Sequence, residues 1–304
     1  MKPVNRRTVK DPFEDRLLSV VSGVSLTALF VLVLYPLLYV LSSSFSDPVA
    51  PAPLLLVPTR PSIAAYRLTF AYSSIWIGYA NSLFYAVVGT AVNVTLTVLA
   101  AYPLSRKDFL LRNPIMFLFA FTMWFSGGLI PTYMLVRNLG MLNTRYAMII
   151  PNAVGVWNVI ITRTYFQSTI PDEMLDAARI DGCNDYGFLL RIVLPLSKPI
   201  LAVIALFYAV AHWNAFFNAF IYLSRRDLFP LQLILREILI MGQTFEAMTT
   251  AGQIFDFDEM ERMQRLSELL KYAAIVVSLG PVIVVYPFIQ KYFIRGIMIG
   301  ALKG

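Results

Sequence analysis

Long runs of apolar residues, separated by short charged connections, set the pattern of this chain. A hydrocarbon core of about 30 Å takes roughly 20 apolar residues to cross as a helix. Six stretches meet that demand, at about 17–41, 79–104, 114–136, 146–166, 199–224 and 271–291. Their central parts hold no Asp, Glu, Lys or Arg, the fourth being free of charge as far as Thr162. A continuous helix satisfies its own backbone hydrogen bonds in lipid, so the stretches are predicted as helices. The expected fold class is an all-α integral membrane protein with six transmembrane helices, with 17–293 as the membrane domain.

The connections set its orientation. Residues 1–16 carry Lys2, Arg6, Arg7, Lys10 and Arg16, which raises the question of a cleaved signal peptide. The apolar run that follows is too long for one and ends without a small-x-small cleavage site, so it is predicted as an uncleaved anchor. Six spans put both termini on one side, with Arg106, Lys107, Arg112, Arg163, Arg179, Arg191 and Lys198 in the short connections there. By the positive-inside rule that side is cytoplasmic, and with it the tail 294–304. The expected location is the cell membrane, plasma or bacterial inner, with lipid around the spans. Outer loops are predicted at 42–78 and 225–270. Pro48, Pro51, Pro53, Pro58 and Pro61 favour extended chain in the first. In the second, Leu228 to Ile240 reads as a short interfacial helix and Asp256 to Leu270 as a solvated one, serving as docking surfaces or as caps over the bundle.

Composition agrees and removes other classes. Hydrophobic residues make up 58% of the 304 and charged residues 14%, against about 45–50% and 25% in soluble domains. A soluble fold and a disordered chain are both excluded. One cysteine, Cys183, and one histidine, His212, leave no internal disulfide and no metal cage. A net charge of +7 is small for a nucleic-acid binder and suits a bilayer protein. No GxxxxGK[ST], GxSxG or HExxH stretch occurs, so no catalytic residue, metal or cofactor is expected in this chain. Spans without ionisable residues argue against a proton or sodium relay.

Chemistry concentrates in the connection 170–199. Pro171, with Asp172 and Glu173 behind it, begins a helix whose positive end faces those carboxylates. Gly182 can take the left-handed conformation that ends it. Asn184 caps a second helix, in which Phe188, Leu189, Ile192 and Val193 recur at helical spacing until Pro195 stops or kinks it.

Within this stretch Asp176-Ala177-Ala178, Asp181-Gly182 and Ile192-Val193-Leu194-Pro195 stand at fixed distances. The arrangement resembles the loop EAA-x-x-DGA-x(8)-I-x-LP of ATP-binding-cassette (ABC) importer permeases. Asp176 replaces the usual Glu and Cys183 the usual Ala, keeping charge and small volume. Six spans, Trp213-Asn214 in the fifth and the tail from Lys291 resemble the maltose-type carbohydrate permeases. Tyr286-Pro287-Phe288-Ile289-Gln290-Lys291-Tyr292-Phe293 with Met298-Ile299-Gly300 resembles the branch importing oligosaccharides cut from polysaccharides.

The resemblance implies the type I importer permease fold and a loop seated in a groove of an ATPase subunit, with Asp176, Ala177, Ala178, Asp181, Gly182, Leu194 and Pro195 as coupling residues. It also implies a second homologous permease in a heterodimer, two ATPase subunits that hold the ATP and Mg2+, and an extracytoplasmic solute-binding protein. Aromatic faces and amides bind sugars, which makes Trp213, Asn214, Phe217, Asn218 and Tyr222 of the fifth span, with Trp157 and Asn158, candidates for the substrate path. Asn214, Asn218 and Tyr222 form one row on a continuous helix. The alternative for each polar residue is a hydrogen bond between helices. An importer of amino acids, polyamines or phosphate is the alternative within the class, and a channel or secondary carrier the alternative outside it.

Overall fold

The computed structural model of the protein describes residues 13–47, 57, 58, 60–250, 270–281, 283 and 284, and the described residues are helical with one isolated bridge, Ser46 to Pro61. Helix α1, Phe13–Ser44, contains the first expected span. Between Leu17 and Ser44 it is long and apolar enough to cross a membrane, and its apolar window is wholly unburied by the rest of the chain. Among the described residues its far end is held by Ser44 Oγ against Tyr66 Oη at 2.7 Å and by Tyr39 edge-on to Tyr272. A bare face of Leu, Val and Phe is stable where lipid or another apolar surface covers it.

The expected extended loop 42–78 is corrected. Helices α2, Ala64–Ala71, and α3, Ser73–Phe84, occupy its second half. The proline run ends at Pro61, so its constraint on φ stops short of α2. The helix that contains the second expected span begins at Ser73 and runs unbroken to Ser105 through a π-helical turn, Tyr85–Gly89, into α4, Thr90–Ser105.

The third expected span is split into α5, Arg112–Trp124, and α6, Leu129–Asn138, which meet at 114°. Gly127-Gly128 lies in the break, Gly128 with φ of 82°. The fourth is also interrupted: α7, Tyr146–Ile149, is a single turn, and Pro151 to Gly155 separates it from α8, Val156–Thr169. Helices α9, Asp172–Ile180, α10, Asp185–Phe188, a second π turn, Leu189–Val193, and α11, Leu194–Leu196, form the 170–197 loop. The chain then bends by 82° into α12, Lys198–Trp213.

A break at Asn214-Ala215 divides the fifth span before α13, Phe216–Tyr222. The predicted interfacial helix begins later, at Leu231, and continues as α14, Leu231–Thr250. Its first turn is buried against α3 through Leu231, Leu233, Ile234 and Leu235, so this part of the expected outer loop belongs to the packed bundle. Of the sixth span, α15, Leu270–Pro281, is described; it packs Ala273 on Ala65, and Tyr79 donates its hydroxyl to the Val277 carbonyl. The predicted helix at 256–270 lies almost wholly outside the described residues, as do 1–12 and the tail.

Among the described residues two helices pass as continuous spans by length and composition, and two bent pairs pass when each is joined. The fourth and sixth stretches are shorter, because the turn from Pro151 to Gly155 interrupts one and the other is described only in part.

Candidate functional site

The 170–197 loop is built as its local signals require. Pro171 precedes the first turn of α9, where Asp172 and Glu173 face the positive helix end. At the other end Gly182 has φ of 76°, the Cys183 N–H reaches the Ala178 carbonyl at 2.8 Å, and the Gly182 N–H reaches that of Arg179 at 3.0 Å. This paired closure is the Schellman motif, which needs a residue free of Cβ strain at Gly182. Asn184 then caps α10, its Oδ1 accepting the Gly187 N–H at 2.8 Å.

Helix α9 is two-faced. Leu175 and Ala178 are buried against Phe166, Ile170, Phe188 and Val193, beneath α4 and α8. Burying the Leu175 side chain contributes about 2 kcal/mol to this seat. Asp176, Ala177, Asp181 and Gly182 are exposed on the other side, Leu194 is half-buried and Pro195 is exposed. Ala178 thus stands in the seat and not on the open face. That face also carries Ile180 and Tyr186, 87% and 78% exposed. The sequence reading passed over both; an isoleucine one turn from Ala177 on the polar side of an amphipathic helix is the signal that points to the first.

The connection between α4 and α5 clasps both ends of α9. Lys107 Nζ lies 2.7 Å from Asp172, and Arg179 Nη2 lies 2.8 Å from Asp108. The hydrogen bond from Arg179 holds the Asp108 carboxyl below its ordinary range, and donating to Asp172 and Asp108 raises Lys107 and Arg179. A lowered carboxyl contributes fully above the ordinary carboxylate pKa and is lost as pH falls through the lowered value, so the clasp is intact at neutral pH. These pairs are solvent-exposed and individually weak. Reversing one pair as Asp108→Arg is therefore expected to lower the melting temperature of the protein only slightly, and Asp108→Arg with Arg179→Asp to restore it. Equal melting temperatures for the single and double variants in a thermal unfolding assay would refute the clasp.

Carbonyls at the end of α4 are closed by cations and amides. Arg163 Nε donates to the Leu104 carbonyl at 2.8 Å, and Gln167 Nε2 reaches that of Ser105 at 3.4 Å. A cation at a helix C-terminus also meets the negative end of the dipole. Lys107, Arg163 and Arg179, read from sequence as markers of a membrane side, are thus structural at the root of the loop.

Polar residues between the helices form a buried seam. Gly89, Asn93 and Thr97 stand at i, i+4 and i+8. Asn93 Nδ2 donates to the Asn152 carbonyl at 3.1 Å, Thr97 Oγ1 pairs with Tyr208 Oη at 2.7 Å, and Tyr208 Oη also accepts the Gly155 N–H at 2.9 Å. His212, one turn after Tyr208, is buried, and its Nε2 has no partner among the described residues. Asn158 is buried beside Gly155.

The substrate-path candidates do not converge. Trp213 is buried against Tyr79 at 6.1 Å, and Tyr222 is buried and stacked on Tyr133. Asn214 ends α12 while Asn218 and Tyr222 lie on α13, so the break removes Asn214 from the expected row. Phe217 and Trp157 are exposed, and Asn218 is half-buried.

Residues 93–299 match the family described as binding-protein-dependent transport system inner membrane component. The chain is 43% identical over 272 residues to the polygalacturonan/rhamnogalacturonan transport system permease protein YtcP of Bacillus subtilis, covering 88% of this chain and 92% of that one. It is 29% identical over 231 residues to the arabinooligosaccharides transport system permease protein AraQ of Halalkalibacterium halodurans, covering 75% of each. A chain from the crystal structure of a bacterial ABC transporter involved in the import of the acidic polysaccharide alginate superposes with a TM-score of 0.82 at 33% identity. That match covers 94% of this chain and all of the other.

Proposed function

Because the chain belongs to the family of binding-protein-dependent transport system inner membrane components, we propose that it is the permease subunit of an ABC importer for an oligosaccharide. The identity over 88% of the chain to a polygalacturonan/rhamnogalacturonan transport system permease protein carries this reading. The chain is a transport subunit and not an enzyme.

The finer picture extends the same reading. Six spans hold both termini in the cytoplasm: α1, α3 with α4, α5 with α6, α7 with α8, α12 with α13, and α15. A second, homologous permease closes the path, and the open face of α9 sits in a groove of one of two ATPase subunits, which bind the ATP and Mg2+. Asp176 and Asp181 accept hydrogen bonds there, Ala177 and Gly182 allow close approach, and exposed Ile180 supplies apolar contact. Leu194 and Pro195 carry the motion into α12 across the 82° bend. Since α9 is seated on α4 and α8 and clasped by the 106–111 connection, closure of the ATPases moves these helices as one body. A solute-binding protein delivers the sugar to the opposite end.

Reconstitution of the full complex tests the function. Uptake of a labelled oligosaccharide into proteoliposomes is expected only with ATP on the loop side and binding protein on the other. Solute movement through the purified chain without an ATPase would favour a channel or carrier and overturn the reading.

A further inference from the structure

At the end of the bundle opposite the 170–197 loop, a cluster of cations and aromatic rings surrounds a fixed turn. Asn81 Nδ2 donates to the carbonyls of Asp227 at 2.7 Å and Phe229 at 3.1 Å, and the Tyr85 hydroxyl donates to that of Leu228 at 2.8 Å, which fastens residues 227–229 to the second span. With both its amide hydrogens used, Asn81 offers only Oδ1, which Arg145 Nη2 approaches at 3.5 Å. The Arg145 guanidinium also lies 4.3 Å from the centre of the Phe84 ring. Two residues earlier, Asn143 bonds the end of α13: its N–H reaches the Tyr222 carbonyl at 3.0 Å, and its Oδ1 accepts the Ser224 N–H at 2.5 Å.

Arg145 is positioned but not neutralised. Among the described residues no carboxylate lies within 4.0 Å of it, and it is exposed. Nearby Asp227 is engaged by Arg225 at 2.6 Å, which holds its carboxyl below the ordinary range, with a weaker contribution from Arg145. Arg226 takes Glu237 at 3.4 Å. Arg236 repeats the arrangement, its guanidinium 4.1 Å from the Phe220 ring with no carboxylate pair among the described residues. Asp227 and Glu237 therefore have their own arginines, and among the described residues two ring-backed cations are left without a carboxylate pair.

We infer that this cluster, centred on Arg145, Phe84 and Asn81, binds the carboxylate of a uronic-acid unit in the translocated oligosaccharide, so that the carried substrate is acidic. The inference rests on the carbohydrate-import reading and adds the charge of the cargo and the residue that reads it. A guanidinium lying against a ring keeps its edge donors available, and their fork matches the two oxygens of a carboxylate. The exposed part of the Phe220 ring offers apolar surface to the sugar C–H groups. A neutral sugar would leave the arginine charge uncompensated as water is displaced, whereas a uronate supplies the counter-charge. The alginate importer that the chain resembles is described as handling an acidic polysaccharide.

The test uses the complete transporter with its binding protein in vesicles of zwitterionic lipid, supplied with trigalacturonate or the carboxyl-reduced, neutral trisaccharide. Arg145→Gln is expected to lower the ratio of acidic to neutral uptake at least tenfold. Arg145→Lys, which keeps the charge but not the fork, is expected to give an intermediate ratio, with assembly of each variant checked by recovery of the complex. An unchanged ratio in Arg145→Gln, including an equal loss on both sugars, would overturn the inference while leaving the import reading intact. Failure of the wild type to take up either sugar with ATP would overturn the import reading itself.

Discussion

Gly182→Val is expected to reduce ATP-driven uptake at least tenfold while the chain still inserts and assembles. The expectation comes from the backbone. Gly182 has φ of 76°, and the left-handed region costs an L-residue about 1–2 kcal/mol, most severely when the side chain branches at Cβ. Nothing lies within 4 Å of a Cβ built there, so the substitution meets no clash inside the chain and leaves the core intact. The strain is relieved by rotating the residue out of the left-handed region. That rotation breaks the closure from Cys183 and Gly182 onto Ala178 and Arg179 and re-aims α10 against α9. A rigid connector that points elsewhere transmits ATPase closure poorly. Gly182→Asn separates conformation from volume, because asparagine tolerates the left-handed region; it is expected to retain most uptake. Reconstituted complexes assayed for ATP hydrolysis and uptake together decide the matter, and normal uptake by Gly182→Val would end the coupling role assigned to this turn.

The same turn shows what local sequence can encode. Pro171, Asp172, Gly182 and Asn184 act within a few residues of themselves; the last three sit where capping rules place them, and Pro171 stands one residue before the first helical position. The first span was legible for the same reason, since its signal is length and apolarity alone. Interruptions inside the membrane were harder. The breaks at 125–128, 151–155 and 214–215 carry no charge, and a hydropathy pattern passes over them. The local signals of the first two are glycines and prolines, Gly127-Gly128 before Pro131 and Pro151 with Gly155, which mark a bend without giving its angle. Of the two roles open to the start of α14, docking surface or cap over the bundle, sequence could not choose, because its packing depends on Gly78, which a Cβ would bring within 2.9 Å of the Leu231 Cα, 153 positions away. Pairings such as Lys107 with Asp172, or Arg145 with Phe84, depend likewise on the folded topology, so the sequence displayed the charges without their partners.

The second large effect is expected at Gly89, where two irregularities face each other. Gly89 closes the π turn of the second span, and His212 stands one residue before the end of α12. π turns within helices are frequent at functional sites, and a break in the facing helix at this level marks a place where α12 and α13 can change their angle. The His212 ring fills the space that a side chain at 89 would need: an added Cβ would lie 2.6 Å from Cε1 and 2.8 Å from Cδ2. Since the ring is buried, the helices must separate to admit Gly89→Ala. Overpacking of this kind costs about 1–3 kcal/mol. His212→Ala removes the obstruction and leaves a cavity, which the alanine at 89 then partly fills. Gly89→Ala is therefore expected to destabilise the wild-type transporter and to be neutral or stabilising in the His212→Ala background, a coupling of about 1–3 kcal/mol. Thermal unfolding of the four complexes in detergent measures that cycle. Additive losses would show that Gly89 and His212 act independently. If they are coupled as the contact requires, uptake should fall in Gly89→Ala and recover in the double variant, tying the contact to the motion that opens the path.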